Sequence, residues 1–207
     1  MSPTQKSESE INEAHRKKMV RQNEVFEKKM AETTDEKGLI IVHTGDGKGK
    51  STAAFGMALR ALGHDMKVGI VQFIKGAIST GEATIIPKLN LPIEIHSMGE
   101  GFTWKTQDRE RDIATAGKGW DKAVELLRDP SFGMVILDEL NIALKYKYIE
   151  VEKVLTELKS KRHDLHVVIT GRNAPQELLD VADLASEMKL IKHPFKEGIK
   201  PQPGVEF

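Results

Sequence analysis

The stretch GLIIVHTGDGKGKST, residues 38–52, decides the fold. Leu39, Ile40, Ile41 and Val42 form an unbroken apolar run, the pattern of a strand buried on both faces. The run breaks into a loop of alternating glycines, Gly45, Gly47 and Gly49, followed by Lys50, Ser51 and Thr52. An Ala-rich segment over 53–63 then reads as a helix. Strand, glycine loop, Lys-Ser and helix make a P-loop, and each part has a physical reason. Glycines let backbone N–H groups turn inward around phosphate oxygens. The helix N-terminus and Lys50 supply positive charge, and the Ser51 hydroxyl suits Mg²⁺. The spacing departs from GxxxxGK[ST] at one position, where Thr44 replaces the first glycine. A merely flexible Gly/Lys loop would explain neither the strand before it nor the helix after it.

Working outward, 67–75 (KVGIVQFIK) predicts a second strand, and the glycine-punctuated stretch behind it a loop with a short helix. Residues 92–96 read as a short third strand. Residues 108–128 read as a helix with Ile113, Trp120, Val124 and Leu127 inward, closed by Asp129 and Pro130. Met134 to Glu139, MVILDE, is an apolar strand ending in two carboxylates, the Walker B pattern, expected next to the P-loop strand. There Asp138 and Glu139 can hold Mg²⁺ directly or through water; one of them could instead cap the following helix. Helices over 151–161 and 175–181 alternate with strands at 166–171 and 188–192, and the Gly/Pro-rich tail 196–207 reads as extended. Alternating strands and helices mean an α/β fold, a mostly parallel sheet with helices on both faces. Its ligands sit beyond the C-terminal strand ends.

The chain has 207 residues, enough for one α/β domain over 38–207. Its 31 basic and 31 acidic residues balance, so no global field favours nucleic acid or membrane. It has no cysteine, which excludes disulfides, thiolate metal sites and a cysteine nucleophile and fits a cytoplasmic protein. No run is long and apolar enough for a membrane span or a signal peptide. Residues 1–37 are highly charged. Ile11, Met19, Phe26 and Met30 share one helical face with His15, an amphipathic arm whose first residues are disordered; a solvated charged tail is the alternative.

A P-loop names a nucleotide, not a reaction. A GTP switch would carry [NT]KxD after a strand, where GRNAP stands instead. No basic or aromatic surface stretch suggests a nucleic-acid motor. A kinase or other ATPase, or a carrier that binds without turnover, stays open on these residues alone. Phe102 and Trp104, in MGEGFTWKTQ over 98–107, are glycine-flanked and follow a strand end, near the expected ligand face. Together with TGDGKGKSTAAFG, VGIVQFIKG, VILDEL, VVITGRN and IKHPF, they resemble the ATP:corrinoid adenosyltransferases of cobalamin biosynthesis and salvage, from about residue 38 to the end.

That resemblance implies a RecA-like P-loop fold and attack by a Co(I) corrinoid on C5′ of ATP, with triphosphate leaving. It implies that Gly45, Asp46, Gly47, Lys48, Gly49, Lys50, Ser51 and Thr52 bind the nucleotide, its triphosphate running opposite to the usual P-loop direction. Ser51 and Glu139, with Asp138, would bind Mg²⁺, or Mn²⁺ in its place. Phe102 and Trp104 match the aromatic pair against the corrinoid's lower face, which displaces the lower base and eases reduction of cobalt. The N-terminal helix would fold over the corrinoid. The corrinoid (cobalamin, cobinamide or cobyrinic acid a,c-diamide), an electron-donor protein such as a flavoprotein, and a second copy in a homodimer are the implied partners. Asp46 departs from the family's Asn and adds an acid beside the phosphates, pointing away or touching the ribose. Lys118 and Gly119 have no reading from sequence. Asp164-x-His166 resembles the start of a cobalt-ligating DxHxxG signature, but the glycine comes two residues late, at Gly171. His43, His96 and His193 read as satisfied or surface histidines.

Overall fold

The computed structural model describes residues 7–74, 81–98 and 108–206. The chain divides into two compact units, Met1–Glu36 and Lys37–Phe207. The first is a single helix, α1 (Glu8–Glu32). It opens on a capping box: the Ser7 hydroxyl accepts from Glu10 N–H, and the Glu10 carboxylate accepts from Ser7 N–H at 2.8 Å. Glu8 and Glu10 in the first turn and Lys29 in the last complement the helix dipole. The apolar positions Ile11, Met19, Phe26 and Met30 are exposed, and no residue of α1 is buried.

The second unit carries β1 (Ile40–Thr44), α2 (Lys50–Leu62), β2 (Lys67–Gln72), α3 (Gly81–Ile85) and β3 (Ile93–Ser97). It continues through α4 (Arg109–Arg128), β4 (Phe132–Asp138), α5 (Leu140–Lys145), α6 (Val151–Lys159), β5 (His166–Thr170), α7 (Gln176–Val181) and β6 (Leu184–Glu187). The six strands pair in parallel in the order β3-β2-β4-β5-β1-β6. The apolar runs are continuous because the sheet buries both faces. Ile41, Val68, Ile70, Met134, Ile136 and Val168 pack with Ala54, Phe55 and Ala58 of α2 on one face. Ile40, Val42, Val135, Leu137, Val167 and Ile169 pack with Trp120, Ala123 and Leu126 of α4 on the other.

Two expectations need correction. The last strand is Leu184–Glu187, not 188–192. It is an edge strand with exposed residues, so it lacks the apolar run that marks a buried strand, whereas Ile191 in the expected run is almost fully exposed. The acid-bearing β4 is not next to the P-loop strand, because β5 stands between them. A smaller difference is the tail, which is not wholly extended but includes a 3-10 turn at Pro194–Glu197, whereas the short helix expected after the second strand is present as α3. Gly119, unread from sequence, lets α4 approach closely, since a Cβ there would lie 3.2 Å from the Phe73 ring and 3.3 Å from Met98.

Candidate active site at the glycine loop

The loop after β1 is shaped by its neighbours as well as by its glycines. Gly45 has φ +95°, a conformation disfavoured for any side chain, and its Cβ would stand 2.5 Å from Met188 O. Gly47 donates its N–H to that same Met188 carbonyl at 2.6 Å. The backbone at Met188 therefore runs against the loop and leaves room only for glycine. Thr44 needs no such freedom: it lies in β1, and its hydroxyl accepts from Ala174 N–H at 3.1 Å, tying the strand end to the loop after β5. That accounts for the missing first glycine of the motif.

Lys50, the first residue of α2, is buried and donates to the carbonyls of Gly45 (2.8 Å) and Gly47 (2.6 Å). Ser51 is partly buried in the first turn, whereas Asp46, Lys48 and Thr52 are exposed. Lys48 pairs with Glu206.

On the α2 face, the C-terminal strand ends carry a polar row. Register and hydrogen bonding place Ser97, Gln72, Asp138, Thr170, His43 and Ser186 side by side across the six strands. Asp138 is buried, and both its oxygens accept: Oδ1 from the Thr170 hydroxyl at 2.7 Å, Oδ2 from the Gln72 amide at 3.2 Å. Glu139 follows in the left-handed conformation, φ +59°. Its carboxylate accepts no hydrogen bond from the described residues. The two acids differ in kind: one is held by the sheet, the other is available.

Charges crowd here. Burial pushes the Lys50 amine below its usual range; Glu139 opposes that shift and Arg172 reinforces it. Lys48 is lowered by burial and then by Arg172. Burial, and next the Asp138 carboxylate, raise Glu139 to about 7, against the pull of Lys50 and Arg172. Arg172, in the loop after β5, is thus within electrostatic reach of both lysines and of Glu139. The sequence gives it no role, because an exposed arginine in a loop carries no motif. Three cations around a glycine loop suit a polyanion such as a triphosphate. Among the described residues no group of three or more His, Cys, Asp or Glu could hold a metal by itself. The Ser51 hydroxyl and the Glu139 carboxylate nevertheless fit a hard cation that takes its other oxygens from phosphate and water.

Phe102 and Trp104 lie outside the described residues. His166 is structural, its Nδ1 accepting Leu39 N–H at 3.1 Å, which removes it as a cobalt ligand candidate. His96 pairs with Glu94, and the half-buried His193 accepts from Phe195 N–H. His43 departs from the expected reading: it is buried, and neither ring nitrogen has a hydrogen-bond partner among the described residues.

The sequence model for "ATP:corrinoid adenosyltransferase BtuR/CobO/CobP" matches residues 36–207. A corrinoid adenosyltransferase of Pseudomonas aeruginosa is 53% identical over 198 residues, 96% of this chain and 98% of its own length. One from a Sinorhizobium species is 57% identical over 93% of this chain and 91% of its own length. The Escherichia coli K12 corrinoid adenosyltransferase is 42% identical over 95% of this chain and 99% of its own length. With its family model covering the whole second unit, the chain belongs to the ATP:corrinoid adenosyltransferase family.

Proposed function

We propose that this chain moves the 5′-deoxyadenosyl group of ATP onto the Co(I) of a corrinoid, in the making or salvage of adenosylcobalamin. The cobalt electron pair attacks C5′, the Co–C5′ bond forms, and the C5′–O bond breaks. Triphosphate leaves with the electron pair of the broken bond. The observation that carries this reading is the set of three cations, Lys48, Lys50 and Arg172, gathered at the glycine loop opposite one available carboxylate. Charge grows on the phosphate oxygen as C5′ departs, and preorganised cations stabilise that growth without reorganising.

In this reading, residues 45–52 hold the phosphates, with Lys50 nearest the loop carbonyls. Ser51 and Glu139 hold Mg²⁺ or Mn²⁺, with Asp138 behind them. Such an ion would neutralise part of the triphosphate charge. Phe102 and Trp104 cover the corrinoid's lower face, and an electron-donor protein of the flavoprotein kind supplies Co(I). The chain works as a cytoplasmic homodimer, with residues 1–37 as an arm and 38–207 as the catalytic domain.

The test is the phosphate product. Wild-type chain with ATP, Mg²⁺ and pre-reduced corrinoid should release triphosphate in step with adenosyl-corrinoid. ADP accumulating beside unalkylated corrinoid would make this chain a kinase or ATPase instead.

A further inference from the structure

The acidic strand and the P-loop strand are separated by β5, so something on β5 must relate the acids to the loop. Thr170, its last residue, is fully buried and makes two contacts of opposite sense. Its hydroxyl donates to Asp138 Oδ1 at 2.7 Å and accepts the N–H of Glu139 at 2.9 Å. One oxygen therefore orients the carboxylate of the first acid and the backbone of the second. The second contact matters because Glu139 stands at φ +59°, ψ 22°, a left-handed conformation that residues with a side chain rarely hold without support. That turn brings Glu139 within electrostatic reach of Lys50 and Arg172. On the other side of Asp138, the Gln72 amide donates to Oδ2, and the Ser97 hydroxyl donates to Gln72 Oε1 at 2.7 Å. With Oε1 so engaged, the amide N–H₂ faces the carboxylate. A relay thus runs from the end of β3 through β2 and β4 to β5, and it ends on the backbone of Glu139.

We propose that Thr170, with Gln72 behind Asp138, is a positioning residue that fixes Glu139 for a divalent cation bound with the nucleotide. The assignment rests on the phosphate-site reading above, in which Glu139 is a cation ligand. Thr170 touches neither substrate nor metal; it acts through the two acids. A threonine that only fills the core would need its methyl group and volume, not its hydroxyl. Hydroxyl and volume can be separated, since valine keeps the shape and serine keeps the oxygen.

The experiment measures ATP affinity of the full chain by calorimetry, once with Mn²⁺ and once with EDTA. The ratio of the two affinities reads the cation's contribution and not the reaction. Thr170→Val should lower that ratio about fivefold to tenfold, while affinity in EDTA changes less than about twofold. Thr170→Ser should keep the ratio within about twofold of wild type. An unchanged ratio in Thr170→Val, an equal fall in both variants, an equal loss in EDTA, or a wild-type ratio of one overturns the proposal. If Thr170→Val does not fold, Gln72→Leu decides: a fall of about threefold supports the relay and no fall overturns it. Failure here is distinct from failure of the reaction assignment, because wild type can form triphosphate while Thr170→Val binds Mn²⁺·ATP normally. Equally, ADP as the product would leave the affinity ratios to stand or fall alone.

Discussion

The two ends of the parallel sheet use the same residue types to opposite effect. At the N-terminal end each charge fastens backbone or meets its opposite. Asp183 accepts Ile40 N–H at 2.9 Å and pairs with Lys37, and Lys161 donates to Gly38 O at 2.7 Å. Arg162 donates to the carbonyls of Pro130 and Phe132. At the C-terminal end Lys48, Lys50 and Arg172 repel one another even though Lys48 pairs with Glu206 and Lys50 donates to loop carbonyls, and burial beside Asp138 pushes Glu139 up. The first arrangement stabilises the fold; the second is a cost to it that a polyanionic ligand can offset. Charged side chains at the two ends should therefore fail differently when removed.

The largest effect is expected from Lys50→Ala. Its ammonium is the buried cation of the loop, so turnover should fall by roughly a hundredfold or more, the scale of one lost transition-state donor. Stability should change little, because relief of a buried amine held below its usual pKa offsets the loss of its bonds to the Gly45 and Gly47 carbonyls. Product assays and thermal melts on the same preparation check both. Near-normal turnover, or a large fall in melting temperature, would erase the contrast between the two ends.

Arg172→Ala comes next. Arg172 is exposed, so its attraction for phosphate is screened by water and salt. ATP affinity should drop about threefold to tenfold at low ionic strength and less at high. A salt-independent loss would mean that Arg172 acts by contact geometry and not by its field.

The readable and unreadable parts of the chain divide along similar lines. Strands β1, β2, β4 and β5 announce themselves because burial on both faces demands unbroken apolar runs. LASE, the edge strand, pairs with β1 and carries no such run. Strand order is equally silent in sequence, which is why β4 was expected beside β1. The glycine loop was legible since phosphate binding restricts both residue type and spacing. Thr170 was not: a lone threonine at a strand end gains meaning only once register sets it between Asp138 and His43. Arg172 needed the loop's path in space.

At the N-terminal end, Asp183→Ala should leave turnover intact and lower stability. Hydrogen bonding from Lys37 first, and from Ile40 N–H next, holds the Asp183 carboxyl below its ordinary value. A depressed acid favours the fold above its unfolded pKa, and that contribution is lost as pH falls through the folded pKa. Wild type should therefore exceed the variant by about 1 kcal/mol at pH 7, below the roughly 1.5–3 kcal/mol of a hydrogen bond to a charged group because water screens the exposed Asp183. The difference should shrink below the ordinary carboxylate value of 3.8. Urea titrations at pH 7 and near pH 3 test this; a gap that widens in acid contradicts it.

The smallest effect belongs to His43, a buried member of the polar row that joins neither the relay nor the fold's fastenings. Both its ring nitrogens lack partners among the described residues, and burial lowers its pKa from 6.5. Above that value the imidazole is neutral in the folded and the unfolded chain alike, so it adds no pH dependence. As pH falls below 6.5, the unfolded chain takes up a proton that the folded chain resists, and wild type loses stability. His43→Phe keeps a flat ring without a titrating group. Whatever its offset at pH 8, its stability relative to wild type should improve on going to pH 5.5, by up to about 1 kcal/mol. The other six of the chain's seven histidines are common to both proteins and cancel from the comparison. Chemical denaturation of the pair at the two pH values measures it. A pH-independent difference would mean that the folded chain protonates His43 as readily as the unfolded one, which requires an acceptor or water path to the ring; the C-terminal end would then be wetter than its burial indicates.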